Sequence, residues 1–173
     1  RMNGPWAGLG RMDRCLMSAE SRFLTLLRLL AHDPAAQCLM DDVALLPVGD
    51  TRLVLTSDTI VEGVHYLPAD PPADIGWKLA AVNLSDLAAK GARPVGCMLN
   101  YALSGDAAWD AAFLDGLHEA LDRHAMPLLG GDTVRMPAGS ARSYSLTAMG
   151  EATGATPSRS GAQAGDRLFV TGP

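Results

Sequence analysis

One stretch, residues 70–90, constrains the fold more than any other, because it has the pattern of a single amphipathic helix. Ile75, Leu79 and Val82 recur at spacings of four and three, which is typical of a helix that packs one face on a core. The next step of four reaches Asp86, which at about 100° per residue points almost the same way. A buried carboxylate is costly unless it is paired or bound to a metal. Asp86 is therefore either a structural cap of a neighbouring loop or part of a functional site, and the helix alone favours neither.

The ends of this helix and the neighbours of Asp86 are also marked in the sequence. Asp70 is a plausible N-cap, Gly91 is a natural residue just after the C-terminus, and Pro94 prevents a longer helix. Asn83 and Ser85 flank Asp86 and offer further oxygen ligands or hydrogen bonds.

Composition indicates one globular domain and excludes several classes of function. The chain has 173 residues, of which 48% are hydrophobic and 19% charged, with a net charge of −5. The sequence has no basic patch of the kind that would indicate nucleic-acid binding. No apolar run is long enough to span a membrane. Cys15, Cys38 and Cys97 are odd in number and lack a Cys-x-x-Cys spacing, which indicates reduced thiols and a cytoplasmic protein.

Strands and helices alternate along the chain, and we expect an α+β domain. The predicted architecture is one mixed, largely antiparallel sheet with helices on one face. Residues 1–17 are expected to form a flexible tail, 18–160 the domain, and 161–173 the start of a further domain. Ser18 should cap a helix over 19–31 whose buried face comprises Phe23, Leu26, Leu27 and Leu30. Asp106 should cap another helix that ends near 124. The predicted strands are 43–46, 53–56, 95–103, 126–129, 143–149 and 168–170.

Acidic residues recur beside strands and on the central helix. The set comprises Asp41, Asp42, Asp58, Asp86 and Asp132, with the hydroxyls and glycines Thr56, Ser57, Thr59, Gly130, Gly131 and Thr133 around them. Carboxylate and hydroxyl oxygens, without a cysteine or histidine cluster, favour Mg²⁺, and Mg²⁺ in turn favours a phosphate ligand such as a nucleotide. For several residues the sequence allows either a functional or a purely structural role. Gly130-Gly131 is a phosphate loop or only a turn, His65 a ligand or a surface residue, and Arg159 a phosphate clamp or a solvated side chain.

The ordered motifs resemble those of the thiamine-monophosphate kinase family, in the superfamily of aminoimidazole-ribonucleotide synthetase. The motifs are Asp-Asp-Val-Ala-Leu-Leu at 41–46, Thr-Ser-Asp-Thr at 56–59, Gly-Val-His-Tyr at 63–66, Ala-Val-Asn-Leu-Ser-Asp-Leu-Ala-Ala at 81–89, Gly-Gly-Asp-Thr at 130–133, and Ser-Arg-Ser-Gly-Ala at 158–162 followed by Gly-Asp at 165–166. They occur in family order over roughly residues 18–172. The 83–89 segment and the Gly-x-His element favour the kinase branch.

The resemblance implies ATP-dependent phosphorylation of thiamine monophosphate to thiamine diphosphate by a homodimer whose sheets join into one barrel. It assigns Mg²⁺ to Asp42, Thr56, Ser57, Asp58, Asp86 and Asp132, with Asp58, Asp86 and Asp132 as the catalytic group. It assigns ATP to Gly131, Asp132 and Arg159, and substrate to His65. Independently of the resemblance, the phase of the helix over 70–90 predicts that Asp86 is buried or nearly so and lies beside Asp58, Asp42 or Asp132.

Two departures from the family pattern qualify these expectations. Met40 stands where the family has glycine, and family members are roughly twice as long. We therefore expect an N-terminal half with little kinase activity alone. The alternatives are a non-catalytic half that dimerises or binds nucleotide, and a sister ATP-dependent synthetase of the same superfamily.

Overall fold

The computed structural model describes residues 18–137 and 139–170. The helices are α1 (Ala19–Leu27), α2 (Pro72–Ala89) and α3 (Ala107–Arg123), with a 3-10 segment over Pro34–Leu39. The strands are β1 (Ala44–Val48), β2 (Thr51–Val61), β3 (Ala92–Leu103), β4 (Leu128–Arg135) and β5 (Ser143–Ala152). The tail over 1–17, which the sequence predicts to be flexible, and residues 171–173 lie outside this description.

The strands form one mixed sheet in the order β1-β2-β5-β3-β4. Every neighbouring pair is antiparallel except β3 and β4, which are parallel. The core lies between this sheet and the helices α2 and α3, where Leu79, Phe113, Tyr144 and Leu146 are fully buried. The predicted α+β architecture, with helices on one face of a largely antiparallel sheet, is confirmed.

Helix α2 forms as the periodicity predicts, but its buried stripe is rotated slightly. The stripe runs through Ile75, Leu79, Asn83 and Leu87, so that Asp86 lies at its border and is half-buried. The cap also differs from the prediction, because the N-cap is Pro71. Asp70 instead accepts a hydrogen bond from the backbone N–H of Leu67 at 2.8 Å.

One predicted helix is shorter and less buried than expected, and one predicted strand does not form. Helix α1 is capped by Ser18 as predicted, but it ends at Leu27, and Phe23 is 60% exposed. No described residue of the core cluster belongs to α1, so its apolar face lacks the covering that the prediction assumed. Residues 168–170 are almost fully exposed and form no strand, because no neighbouring strand in the described part of the chain pairs with them.

Strands β2 and β4 extend past their predicted ends, so Asp58 and Asp132 lie within strands rather than after them. Strand β3 lies inside the sheet, and the edges are β1 and β4. Among the described residues, no helix is long and apolar enough to cross a membrane.

Candidate functional site

Thr56 lies at the centre of a polar group where β2 continues beyond the end of β1. Pairing between these strands stops at Leu55, so the next residues of β2 are not paired with β1, and Thr56 contacts the loop before β1 instead. The Thr56 hydroxyl, which is buried, donates to Asp86 Oδ2 at 2.6 Å and lies 3.4 Å from the Asp42 carbonyl oxygen. One hydroxyl therefore joins a strand, a helix and a loop that each carry an aspartate.

In this group, Asp58 is an aspartate whose carboxyl pKa is raised. Burial raises the pKa of its carboxyl, and the negative charges of Asp86 and Asp42 raise it further, whereas nearby His65 lowers it. Asn83, which is fully buried, accepts from the Asp58 backbone N–H at 3.2 Å and donates to the Leu79 carbonyl at 2.9 Å. The Asn83 side-chain oxygen, which the sequence suggested as a ligand, is therefore occupied by a hydrogen bond that joins β2 to α2.

His65 lies in the loop after β2, on the side of the sheet that carries Asp58. Its Nδ1 accepts from the Val61 backbone N–H at 3.0 Å, and Lys78 donates to its carbonyl oxygen. With Nδ1 used as an acceptor, Nε2 carries the proton in the neutral ring and is available as a donor on an exposed side chain.

Arg159 reaches the same site from the loop after β5. Its Nη1 lies 3.0 Å from Asp42 Oδ1, and both side chains are more than half exposed. An exposed pair of this kind contributes at most about 1 kcal/mol to stability. The position of the pair matters more than its energy, because it puts a solvent-exposed guanidinium directly beside the acidic group.

Sequence reasoning missed the buried ion pair next to this site. Lys90 Nζ lies 2.7 Å from Asp41 Oδ2 and donates to the Pro157 carbonyl at 2.6 Å, with both charged side chains almost completely buried. Burial alone would raise the pKa of Asp41, but the Lys90 ammonium and the Asp42 and Arg159 amides hold it below its ordinary value. The two adjacent aspartates therefore differ, since Asp41 is neutralised internally and Asp42 faces outward.

The turn before Asp41 was missed as well. Gln37, Cys38 and Leu39 all have left-handed backbone angles, with φ of 48°, 55° and 52°. Such angles are unfavourable for residues with a side chain. Arg28 compensates by donating to the Cys38 carbonyl at 3.1 Å and by contacting the Leu39 carbonyl at 3.5 Å. Met40 itself has φ of −101°, so the residue that replaces the family glycine needs no special conformation.

Asp132 and Ser57 lie on the other face of the sheet. Asp58, Leu146, Leu99 and Gly131 form one row across four strands, and the two leucines of that row face the helices. Side chains alternate along strands, so Asp132 belongs to the uncovered face. It is also three strand spacings, roughly 14 Å, from β2.

Ser57 shows the same alternation, because its hydroxyl pairs with Thr147 at 2.9 Å on the uncovered face. Gly131 has a structural reason to be glycine, since a Cβ there would lie 1.7 Å from the Leu99 carbonyl oxygen. Of the predicted site residues, the structure therefore brings together Asp42, Thr56, Asp58, His65, Asp86 and Arg159. It does not bring Ser57, Gly131 or Asp132 to them.

The chemistry of this group fits a hard cation, although the side chains are not closed around one. The donors are carboxylate and hydroxyl oxygens, and the repulsion that raises the pKa of Asp58 is the kind that a divalent cation relieves. In the described part of the chain, no three His, Cys, Asp or Glu side chains converge closely enough to hold a metal ion.

The mixed sheet, with helices on one face and an acidic site near its β1 edge, defines the class of the protein as an α+β domain. A sequence comparison then shows its family. The chain belongs to the family described as AIR synthase related protein, N-terminal domain, whose sequence model matches residues 40–152. The superfamily resemblance predicted from the motifs is thereby confirmed.

Within this family, similar proteins with curated names include thiamine-monophosphate kinases. The chain is 41% identical over 165 residues to the thiamine-monophosphate kinase of Synechococcus elongatus and 43% identical over 135 residues to that of Escherichia coli K12. A solved structure described as AaThiL complexed with AMPPCP and TMP superposes with a TM-score of 0.72 at 26% identity, over 82% of this chain and 44% of that one. The sequence matches cover 92% and 76% of this chain, but only 49% and 40% of the two kinases. The chain thus spans about half the length of the relatives that it matches.

Proposed function

We propose that this chain is the ATP- and Mg²⁺-binding half of an enzyme that phosphorylates thiamine monophosphate to thiamine diphosphate. One observation carries the proposal. The Thr56 hydroxyl contacts the Asp86 carboxylate and the Asp42 carbonyl oxygen, and Asp58, two residues further along β2, is electrostatically coupled to both aspartates, in a chain that is 41% identical to a thiamine-monophosphate kinase. The complex with AMPPCP and TMP supports a site in that relative for a nucleotide analogue and a second ligand.

The residues that would hold Mg²⁺ are the three carboxylates and the Thr56 hydroxyl. Bound there, the ion would neutralise phosphate charge, which is the main obstacle when two polyanions are brought together. Asp132 and Ser57 as metal ligands, and Gly131 with Asp132 as nucleotide ligands, rest on the family resemblance alone.

The chain's own residues then have distinct tasks. The acceptor phosphate is largely ionised near neutral pH, so the reaction needs orientation rather than a strong general base. Arg159, which lies beside Asp42, would contact phosphate oxygens, and His65, whose Nδ1 accepts from Val61, would donate from Nε2 to the acceptor. Asn83 and Thr56 hold β2 and α2 in register so that Asp58 and Asp86 stay together.

A second candidate is a half that dimerises, and an uncovered sheet face favours it. Both described helices of the core lie on one side, whereas Met98 on the other is 47% exposed. All eight residues of β4 are exposed as well. We propose a homodimer through this face and the β4 edge, because the long strand β3 lies inside the sheet and offers no free edge. Sedimentation at high concentration tests it, and a clean monomer would contradict it.

We also propose a cytoplasmic location, supported by the free thiols of Cys38 and Cys97.

Calorimetric titration with Mg·ATP tests the nucleotide site in this chain. We expect measurable binding that disappears without Mg²⁺ and weakens about 10- to 100-fold in Asp86→Asn. Unchanged affinity in Asp86→Asn would refute the assignment of the site.

Kinase activity is tested with two proteins, the 173-residue chain and a chimera. In the chimera, the remaining part of the Synechococcus elongatus relative follows residue 170. We expect turnover of thiamine monophosphate only in the chimera, because a misplacement of about 1 Å costs about 100-fold in rate. Robust turnover by the short chain would show that the second half is dispensable.

A further inference from the structure

Lys90 joins three segments that surround the proposed site. It is the C-cap of α2, and its ammonium contacts Asp41 in the loop before β1 and Pro157 in the loop after β5. Thr153 supports the same junction, since its hydroxyl donates to the Gly91 carbonyl at 2.7 Å. These are the two loops that carry Asp42 and Arg159, one or two residues further along.

Stability alone does not account for a buried charged pair at this position. Removing an ammonium and a carboxylate from water is expensive, and apolar residues of similar volume often serve the fold equally well. Here the Lys90–Asp41 pair is about 5% exposed, whereas the neighbouring Asp42–Arg159 pair is largely in solvent. The inner pair is shielded from solvent and the outer pair is accessible.

We propose that Lys90 is a positioning residue of the Mg·ATP site, which acts by fixing the Pro157–Arg159 loop against the Asp41–Asp42 loop. It occupies Asp41, so that Asp42 alone faces the site, and it keeps the Arg159 guanidinium beside Asp42. This inference rests on the proposed function for its ligand, but the junction itself is a property of the structure.

The single variant Lys90→Met would leave the Asp41 carboxylate buried and unpaired, and it would destabilise the whole chain. The informative variant is therefore Lys90→Met with Asp41→Asn, which removes both charges and keeps the side-chain volumes similar. Arg93→Met is the matched control, because Arg93 on β3 forms an exposed ion pair with Glu151 on β5. Thermal unfolding first establishes that the double variant is folded.

Limited trypsin digestion reads the position of the loop without any ligand. Trypsin cuts after Arg159 and after Arg167, and Arg167 lies in an exposed segment that Lys90 does not contact. We expect cleavage after Arg159 to be about 10-fold faster in the double variant, with cleavage after Arg167 unchanged. Equal cleavage after Arg159 in the wild-type chain and the double variant would overturn the proposal, whether or not the chain binds nucleotide.

Calorimetry with Mg·ATP then connects the loop to the site. We expect the folded double variant to bind about 10-fold more weakly than wild type, and Arg93→Met to bind normally. In an Arg159→Gln background the double change should cause no further loss, because Lys90 acts through Arg159. Full affinity of the folded double variant would show that Lys90 is only structural. An equal loss of affinity with and without the Arg159→Gln change would also contradict the proposal, because Lys90 would then not act through Arg159. Absence of binding by the wild-type chain would instead refute the proposed function, and the digestion result would still decide the role of Lys90.

Discussion

Near the β1 edge of the sheet, Asp58 on β2 is electrostatically coupled to Asp86 on α2, whereas at the β4 edge Asp132 lies on a strand whose residues are all exposed. In both regions an aspartate is followed by threonine, Asp58-Thr59 on β2 and Asp132-Thr133 on β4. The difference is the covering. Helix α2 packs over β2 and supplies Asp86 and Asn83, but no described helix covers the face that bears Asp132. The two similar motifs thus differ in their surroundings, because only the one on β2 packs against a helix that presents polar side chains to it.

The largest effect should come from breaking the β4 side. Gly131→Ala places a methyl group 1.7 Å from the Leu99 carbonyl oxygen, so we expect a loss of about 3 kcal/mol or more and a weakened β3–β4 pairing. Gly130→Ala is the matched control, because it has a similar φ but nothing within 4 Å of the added Cβ. Urea denaturation measures both variants, and equal losses would mean that the close approach is unimportant.

A second test compares the two aspartates as ligands. Asp58→Asn should weaken Mg·ATP binding by about 10- to 100-fold, since it removes a charge from the acidic group. Asp132→Asn should change the affinity of the monomeric chain less than about twofold, because its carboxylate lies on the opposite face. If Asp132→Asn matches Asp58→Asn in calorimetry, the two edges act as one site and the comparison fails.

Two threonines on one strand sharpen the contrast between the faces of the sheet. Thr56→Val removes a buried hydroxyl that donates to the Asp86 carboxylate, and we expect a loss of about 2 kcal/mol. Thr59→Val removes a hydroxyl that pairs with Ser145 at 2.7 Å on the exposed face, and should cost less than about 0.5 kcal/mol. The free energy of unfolding of each variant decides, and similar losses would remove the distinction.

The smallest effect is a change in how stability depends on pH. Asp58 has a raised pKa in the folded chain, so its ionised form opposes folding, and wild type should lose stability relative to Asp58→Asn as the pH rises through that pKa. Asp41 has a lowered pKa, so its contribution is present above about pH 4 and is lost as the pH falls through its folded pKa. Wild type should therefore lose its advantage over Asp41→Asn in acid. Unfolding measured between pH 3 and about 8 tests both signs, and parallel curves would contradict them.

Much of the site could be predicted because its residues lie on strongly patterned segments. The phase of α2 indicates that Asp86 points towards the sheet, and the short apolar runs before and within β2 indicate where Asp42 and Asp58 stand. Asp132 could not be placed in this way. Strand β4 continues through Gly130 and Gly131, and a shift of one residue moves a side chain to the other face of a sheet.

The sequence by itself determined the helices α2 and α3, the α+β class and the family. Helical periodicity, the Asp106 cap and Gly91 with its φ of 60° act within a few residues, so they can be read locally. Only the tertiary structure decided that Lys90 pairs with Asp41, 49 residues away, and that Arg159 reaches Asp42, 117 residues away. The reason is that such contacts depend on the strand order β1-β2-β5-β3-β4, which brings β5 next to β2. No local pattern of hydrophobicity or propensity specifies that order.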